Sequence, residues 1–119
     1  MAQSPSMRHL RGVPDKAIAI TGGDAAYFDL MRDCIGSLHA TAEGRTMALG
    51  VLDCGLTEEQ RAWCRERGAL LVVPEWDFDF PGRERLKDGY KALTARPFLP
   101  RYFPGFDLYL WIDGDCWVQ

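Results

Sequence analysis

Four short apolar runs, at residues 17–20, 47–52, 69–73 and 108–112, each end abruptly at residues that stop a strand. The first meets Thr21-Gly22-Gly23, the second Asp53-Cys54-Gly55, the third Pro74 and the fourth Asp113-Gly114-Asp115. Apolar runs this short, without polar alternation, are strands buried on both faces. Between them the periodicity is helical. Tyr27, Leu30, Met31, Cys34 and Leu38 share one stripe of a helix over residues 25–39, opened by Asp24. Thr57-Glu58-Glu59-Gln60 has the form of a capping box, and Gly68 suits a left-handed helix stop. Pro97 and Pro100 both fit the first turn of a short helix. Strands alternating with helices in this way make an α/β fold, a parallel sheet with helices on both faces and right-handed crossovers. The most apolar run, Leu108-Tyr109-Leu110-Trp111-Ile112, belongs by this reading in the middle of the sheet.

A chain of 119 residues has room for one modest domain or for part of a larger one. With 47% hydrophobic and 26% charged residues it is globular, which sets aside disordered, collagen-like and coiled-coil classes. Residues 1–16 are polar, contain Pro5 and Pro14 and follow no period, so they read as a flexible leader before a folded unit at 17–119. The 14 basic residues against 17 acidic ones give a net charge of −3 and form no basic stripe, which argues against a nucleic-acid partner. No apolar run approaches the roughly 18 residues of a membrane span, and the leader lacks a signal peptide's apolar stretch, so a cytoplasmic protein is expected. Cys34, Cys54, Cys64 and Cys116 contain no Cys-x-x-Cys pair, and His9 and His39 stand far from them. All four are expected as reduced thiols packed in the core.

In an open α/β sheet, ligands bind at the carboxyl ends of the strands, where loops diverge and helix amino termini present their amides. Two segments qualify. In Thr21-Gly22-Gly23-Asp24 two glycines let the backbone approach a ligand, which makes Thr21 and Asp24 binding candidates. It lacks the full G-x-G-x-x-G spacing of a dinucleotide fingerprint. In Asp113-Gly114-Asp115 two carboxylates repel one another unless a cation lies between them, and a hard divalent ion such as manganese or magnesium suits such oxygen ligands. The same tripeptide is also good turn chemistry, Asp24 is a good helix N-cap, Tyr27 fits a core, and Arg96 fits a solvated surface.

Taken together, these residues resemble the GT-A fold glycosyltransferases, most nearly glycosyltransferase family eight, which includes bacterial galactosyltransferases and glycogenin-like enzymes. The likeness runs from the first strand through Asp24-Ala25-Ala26-Tyr27 and Val51-Leu52-Asp53-Cys54-Gly55-Leu56 to Arg96 and Tyr109-Leu110-Trp111-Ile112-Asp113-Gly114-Asp115. It implies a Rossmann-like nucleotide-binding half with strand order 3-2-1-4, and a protein that binds a UDP-sugar through a divalent metal for transfer to an acceptor. By position, Asp24 would meet the uracil and Tyr27 stack on it. Arg96 would lie near the sugar diphosphate, Asp113 and Asp115 would hold manganese with Asp113 also near the ribose, and Gly114 would leave room for the nucleotide. The ion would draw off charge as the nucleoside diphosphate leaves.

The sequence departs from the family pattern at Ala26, where relatives often carry Asn or Asp, and at Gly22 and Gly23, which make a more flexible loop. The family's acceptor pocket and third metal ligand, typically histidine, belong to a following half, and neither His9 nor His39 matches that ligand. The resemblance therefore implies a half inactive alone, whose Leu108 to Ile112 strand lies at an edge and self-associates or pairs with that second half. A non-catalytic nucleotide-binding module and one half of a split enzyme are the alternatives. A haloacid-dehalogenase-like phosphatase also carries D-x-D after an apolar strand, but its remaining machinery follows that motif.

Overall fold

The computed structural model describes residues 16–76 and 81–119; apart from Lys16, the expected leader lies outside them. Strand β1 (Ala17–Gly23) leads through a 3-10 turn (Ala25–Tyr27) to helices α1 (Phe28–His39) and α2 (Ala42–Thr46). Strand β2 (Ala48–Asp53), helix α3 (Glu58–Glu66) and strand β3 (Ala69–Val72) follow. Then come 3-10 turns at Arg83–Arg85 and Asp88–Tyr90, helix α4 (Lys91–Ala95), a 3-10 turn at Arg96–Phe98, helix α5 (Leu99–Tyr102) and strand β4 (Leu108–Trp111). All pairings are parallel and the order is β3-β2-β1-β4. The fold is α/β with helices on both faces of the sheet, as the alternation of the sequence requires.

One face presents Ala19, Leu49 and Val51 to Phe28, Met31, Ile35 and Leu38 of α1 and Cys64 of α3. Phe28 meets Trp63 edge to face at 5.5 Å between ring centres. The other face presents Ile18, Ile20 and Leu52 to Ala92, Ala95, Leu99 and Phe103. Helices as short as α4 and α5 are unstable alone. Burial of Leu99 and Phe103, about 1.5–3 kcal/mol for each side chain, holds that layer on the sheet. Gly50 admits it: a Cβ there would lie 2.9 Å from the Phe103 ring.

The capping box forms as read, with Gln60 N donating to Thr57 Oγ1 at 3.2 Å and Thr57 N donating to Gln60 Oε1 at 3.0 Å. Gly68 takes a positive φ of 80°. Other expectations are corrected. Thr21, Gly22 and Gly23 continue β1 rather than turning, because β2 pairs with them as far as Gly23 opposite Asp53. The residues of β4 are half-buried and the strand lies at the sheet edge, since β1 takes the centre. Leu30 lies off the buried stripe and is exposed, whereas Phe28 and Ile35 join that stripe. Cys34, Cys54 and Cys64 are buried, but Cys116 follows the last strand and is exposed. The long segment after Pro74 is irregular apart from its 3-10 turns, with residues 77–80 outside the described part.

Asp53 organises the β2–α3 junction. Its buried carboxylate accepts from Gly55 N at 3.1 Å and Leu56 N at 2.8 Å, and pairs with the Arg61 side chain. Burial alone would raise its pKa. The Arg61 hydrogen bond and the Leu56 and Gly55 amides outweigh burial and hold it below the ordinary carboxylate value. A carboxylate lowered on folding contributes stability above its unfolded pKa and loses that contribution as pH falls through the folded value. We therefore expect Asp53→Asn to cost about 1–2 kcal/mol at neutral pH, because the amide oxygen keeps an acceptor but loses the ion pair. Urea unfolding should show the gap to wild type shrinking as the solution is acidified below the carboxylate range. A gap that stays constant with pH would show that ionisation of Asp53 adds nothing.

Candidate functional site

Ile20 of β1 pairs with Trp111 of β4, so the segments leaving these two strands lie side by side. Asp24 and Tyr27 follow the first, Asp113, Gly114 and Asp115 the second. With Arg96 and with Lys87, Gly89, Tyr90, Ala92 and Leu93 they line a cleft of about 460 Å³, a volume typical of small-ligand sites. The cleft brings together Asp24, Tyr27, Arg96, Asp113, Gly114 and Asp115. Thr21 is not among its lining residues. It is buried against α1 beside a void of about 10 Å³, and its hydroxyl has no hydrogen-bond partner among the described residues.

Asp24 caps the 3-10 turn, its Oδ1 accepting from Tyr27 N at 3.0 Å. The turn is tied to the β2–α3 loop by Ala25 N donating to Gly55 O at 3.1 Å and by Gln60 Nε2 donating to Ala25 O at 3.4 Å. These bonds place the Tyr27 ring in the cleft between two glycines. A Cβ on Gly23 would lie 3.0 Å from the ring, and one on Gly114 would lie 2.7 Å from it. The glycines thus make room for Tyr27 itself, in strand and turn backbone of ordinary negative φ. Burial raises the Tyr27 pKa first, and the negative charges of Asp115 and Asp113 raise it further, so the phenol stays protonated at neutral pH.

Asp113 is held from two sides. Its Oδ1 accepts from Arg96 Nη2 at 2.8 Å and from Trp111 Nε1 at 2.7 Å. Trp111 reaches it because strand residues two apart share a face, and the Arg96 guanidinium lies 4.8 Å from the centre of the Trp111 ring. The backbone behind Asp113 is anchored to α1 by Cys34 Sγ, 3.6 Å from Asp113 O. Burial, followed by the neighbouring Cys116, Asp115 and Asp113, pushes the Cys34 thiol up to about 11, so it remains a neutral donor. One helical turn along, Ser37 Oγ donates to Cys34 O at 2.7 Å and accepts from Val118 N at 2.8 Å.

The Asp113-Gly114-Asp115 segment closes a turn in which Cys116 N donates to Asp113 O at 2.9 Å. One ligand atom each from Asp113, Asp115 and Cys116 lie within 4.8 Å of one another, all on exposed residues. A cation bonded at roughly 2.0–2.3 Å to each ligand separates them by about 3–4.5 Å, so these exposed side chains would have to close slightly to share one ion. The sequence reading missed Lys87, Tyr90, Trp111 and Cys116. The strand period that pairs position 111 with 113 signals Trp111. Lys87 and Tyr90 sit in the irregular segment after Pro74, where no periodicity assigns them a direction.

The wedge of Tyr27 between glycines has a measurable consequence. Gly114→Ala should cost about 1–3 kcal/mol through overpacking, and Tyr27→Ala in the same chain should relieve most of that cost. Chemical unfolding of both single variants and the double variant tests this, and strictly additive effects would show that the ring is not what a side chain at 114 meets.

No protein-family model matches the sequence, and no curated relative matches it. Solved structures do. A crystal structure of an active-site mutant of LgtC matches with a TM-score of 0.59 and 24% identity. That of galactosyltransferase LgtC in complex with donor and acceptor sugar analogues matches with a TM-score of 0.59 and 23% identity. Each match covers 82% of this chain and 37% of the LgtC chain, so the protein spans little more than a third of the length of these neighbours. The likeness establishes the fold: a glycosyltransferase-like α/β sheet of the GT-A kind, with the cleft at the carboxyl ends of β1 and β4.

Proposed function

We propose that the chain is the nucleotide-sugar-binding portion of a glycosyltransferase, taking a UDP-sugar together with a divalent cation. The observation that carries this reading is the convergence of Asp24, Tyr27, Arg96 and the Asp113-Gly114-Asp115 turn on one cleft, in a fold similar to that of a galactosyltransferase. Tyr27 offers a ring fixed by its glycine neighbours for stacking on a base, and Asp24 keeps a second carboxylate oxygen for the polar edge of that base. Lys87 and Arg96 supply positive charge for a diphosphate. The carboxylates Asp24, Asp113 and Asp115 outnumber these two cations among the lining residues, and Arg96 is already paired with Asp113. An anionic diphosphate entering such a cleft is repelled unless a further cation accompanies it.

Asp113 and Asp115 would hold that cation, manganese or magnesium. When bound it supplies charge neutralisation for the departing nucleoside diphosphate. Arg96 exchanges its bond to Asp113 for the phosphate. That exchange costs little, because both side chains are about half exposed and such pairs contribute roughly 0–1 kcal/mol.

Calorimetry with UDP and manganese tests the reading. Weak binding that requires the metal is expected, and changing both Asp113 and Asp115 to Asn should lower the affinity about tenfold or more, equivalent to about 1.4 kcal/mol. Affinity that is unchanged in chelator, or unchanged in the double variant, would falsify the metal-bridged site. Release of sugar from the donor separates a transferase from a module that only binds.

A further inference from the structure

We propose that a groove at the amino ends of β2 and β3 is a separate ligand site, which takes a phosphate ester through Arg45, Arg67 and His39 without a metal. These three side chains line a groove of about 410 Å³ over a floor of Met47, Ala48 and Leu49, and no carboxylate is among its lining residues. Its position follows from the helices. α1 ends at His39, Arg45 lies in the last turn of α2, and Arg67 is the C-cap of α3. Three helices thus deliver one nitrogen-bearing side chain each to the end of the sheet opposite the cleft. That cleft carries Asp24, Asp113 and Asp115 among its lining residues. Two cavities of similar size therefore differ in charge, and an anion enters the groove with no cation to accompany it.

A cation at a helix carboxyl end is ordinarily accounted for by the carbonyls it meets. Here those contacts use only part of each guanidinium. Arg45 Nη1 donates to His39 O at 3.1 Å. Arg67 Nη1 donates to Trp63 O at 3.1 Å, and its guanidinium stacks 3.6 Å from the centre of the Trp63 ring. A guanidinium carries five N–H donors, so each arginine is fixed along one edge and keeps further donors for a ligand. Groups already held in place lose less freedom on binding. Their forked N–H pairs match two phosphate oxygens at a time, and the His39 imidazole adds another donor. Glu66 approaches Arg67 Nη1 only to 3.8 Å, an exposed and loosely aligned pair that a phosphate replaces at little cost. The groove is larger than a bare phosphate needs, and its apolar floor suits the carbon part of an ester.

Backbone amide shifts of the isotope-labelled whole chain, followed by NMR during titration with glycerol 3-phosphate at constant ionic strength, test the site. Saturable shifts are expected at residues 45–49, 67 and 68, with none of that kind from sodium chloride. Arg45 is exposed, so Arg45→Gln keeps the fold and should weaken binding about tenfold, equivalent to about 1.4 kcal/mol. Adding Arg67→Lys, which keeps the charge but loses the fork, should weaken it further. Sedimentation with phosphatidylcholine vesicles that contain phosphatidic acid identifies the source of the phosphate. Retention of the wild type on these vesicles, absent on phosphatidylcholine alone and lost in Arg45→Gln, assigns the groove to a lipid headgroup. Saturable binding of glycerol 3-phosphate without retention on vesicles assigns it to a free ester. Shifts that rise linearly together with no retention on vesicles, or binding of either probe that persists in the double variant, overturn the site. UDP calorimetry reports on the opposite end of the sheet, so its outcome and this one are independent.

Discussion

Everything in this molecule hangs on the burial of β1. Each residue from Ala17 to Gly23 is buried, with Ile18 and Ile20 packed under one helical layer and Ala19 under the other. A strand covered on both faces and paired on both edges has one register, because a shift by one residue would exchange the two packed faces. Its carboxyl end is narrow by necessity. A Cβ on Gly22 would lie 2.8 Å from that of Leu52, so β2 and β1 approach as they do because position 22 has no side chain. Gly23 then admits the Tyr27 ring, and the site begins at the next residue.

The cleft combines fixed and exchangeable contacts. Asp53, buried and bound by two amides and Arg61, is part of the frame that presents Gly55 O to the 3-10 turn holding Asp24 and Tyr27. Arg96 and Asp113 form the opposite kind of pair, well aligned but half exposed. Interactions of the first kind set where the cleft lies, and those of the second can be replaced by a ligand without disturbing the core.

Much of this was legible in the residues. Short apolar runs separated by helical periods specify the α/β class, and the box at Thr57 and Gln60 marks the start of α3 to the residue. Local reading failed where a contact distant in sequence decides. Thr21-Gly22-Gly23 has turn composition, yet pairing with β2 keeps it a strand. The run from Leu108 to Ile112 looked central because both its faces are apolar; its strand, Leu108–Trp111, lies at the edge, with Tyr109 and Trp111 packed against the α4–α5 layer. The glycines at 22 and 23 suggested Thr21, which the cleft does not include. The likeness to a family supplied the strand order and Asp24, Tyr27, Arg96, Asp113, Gly114 and Asp115 of the cleft, but not Lys87, Tyr90 or Trp111. It did not supply the reason for Gly114, which spares the Tyr27 ring, nor the indole bond that orients Asp113.

Helix α1 touches the segment after β4 at two points one helical turn apart. Cys34 bonds the carbonyl of Asp113, and Ser37 bonds the amide of Val118. Tyr27 immediately precedes the same helix and packs on Gly114. The aromatic platform, α1 and the carboxylate turn are thereby fastened into a single jaw, whose parts cannot separate without breaking bonds to buried groups. The facing side, from Lys87 to Arg96, is anchored on the sheet by buried Ala92 and Ala95 and meets the carboxylate turn at Asp113 through a half-exposed ion pair. A ligand that displaced Arg96 from Asp113 would therefore break one half-exposed pair, while the Tyr27 ring and the carboxylate turn kept their spacing.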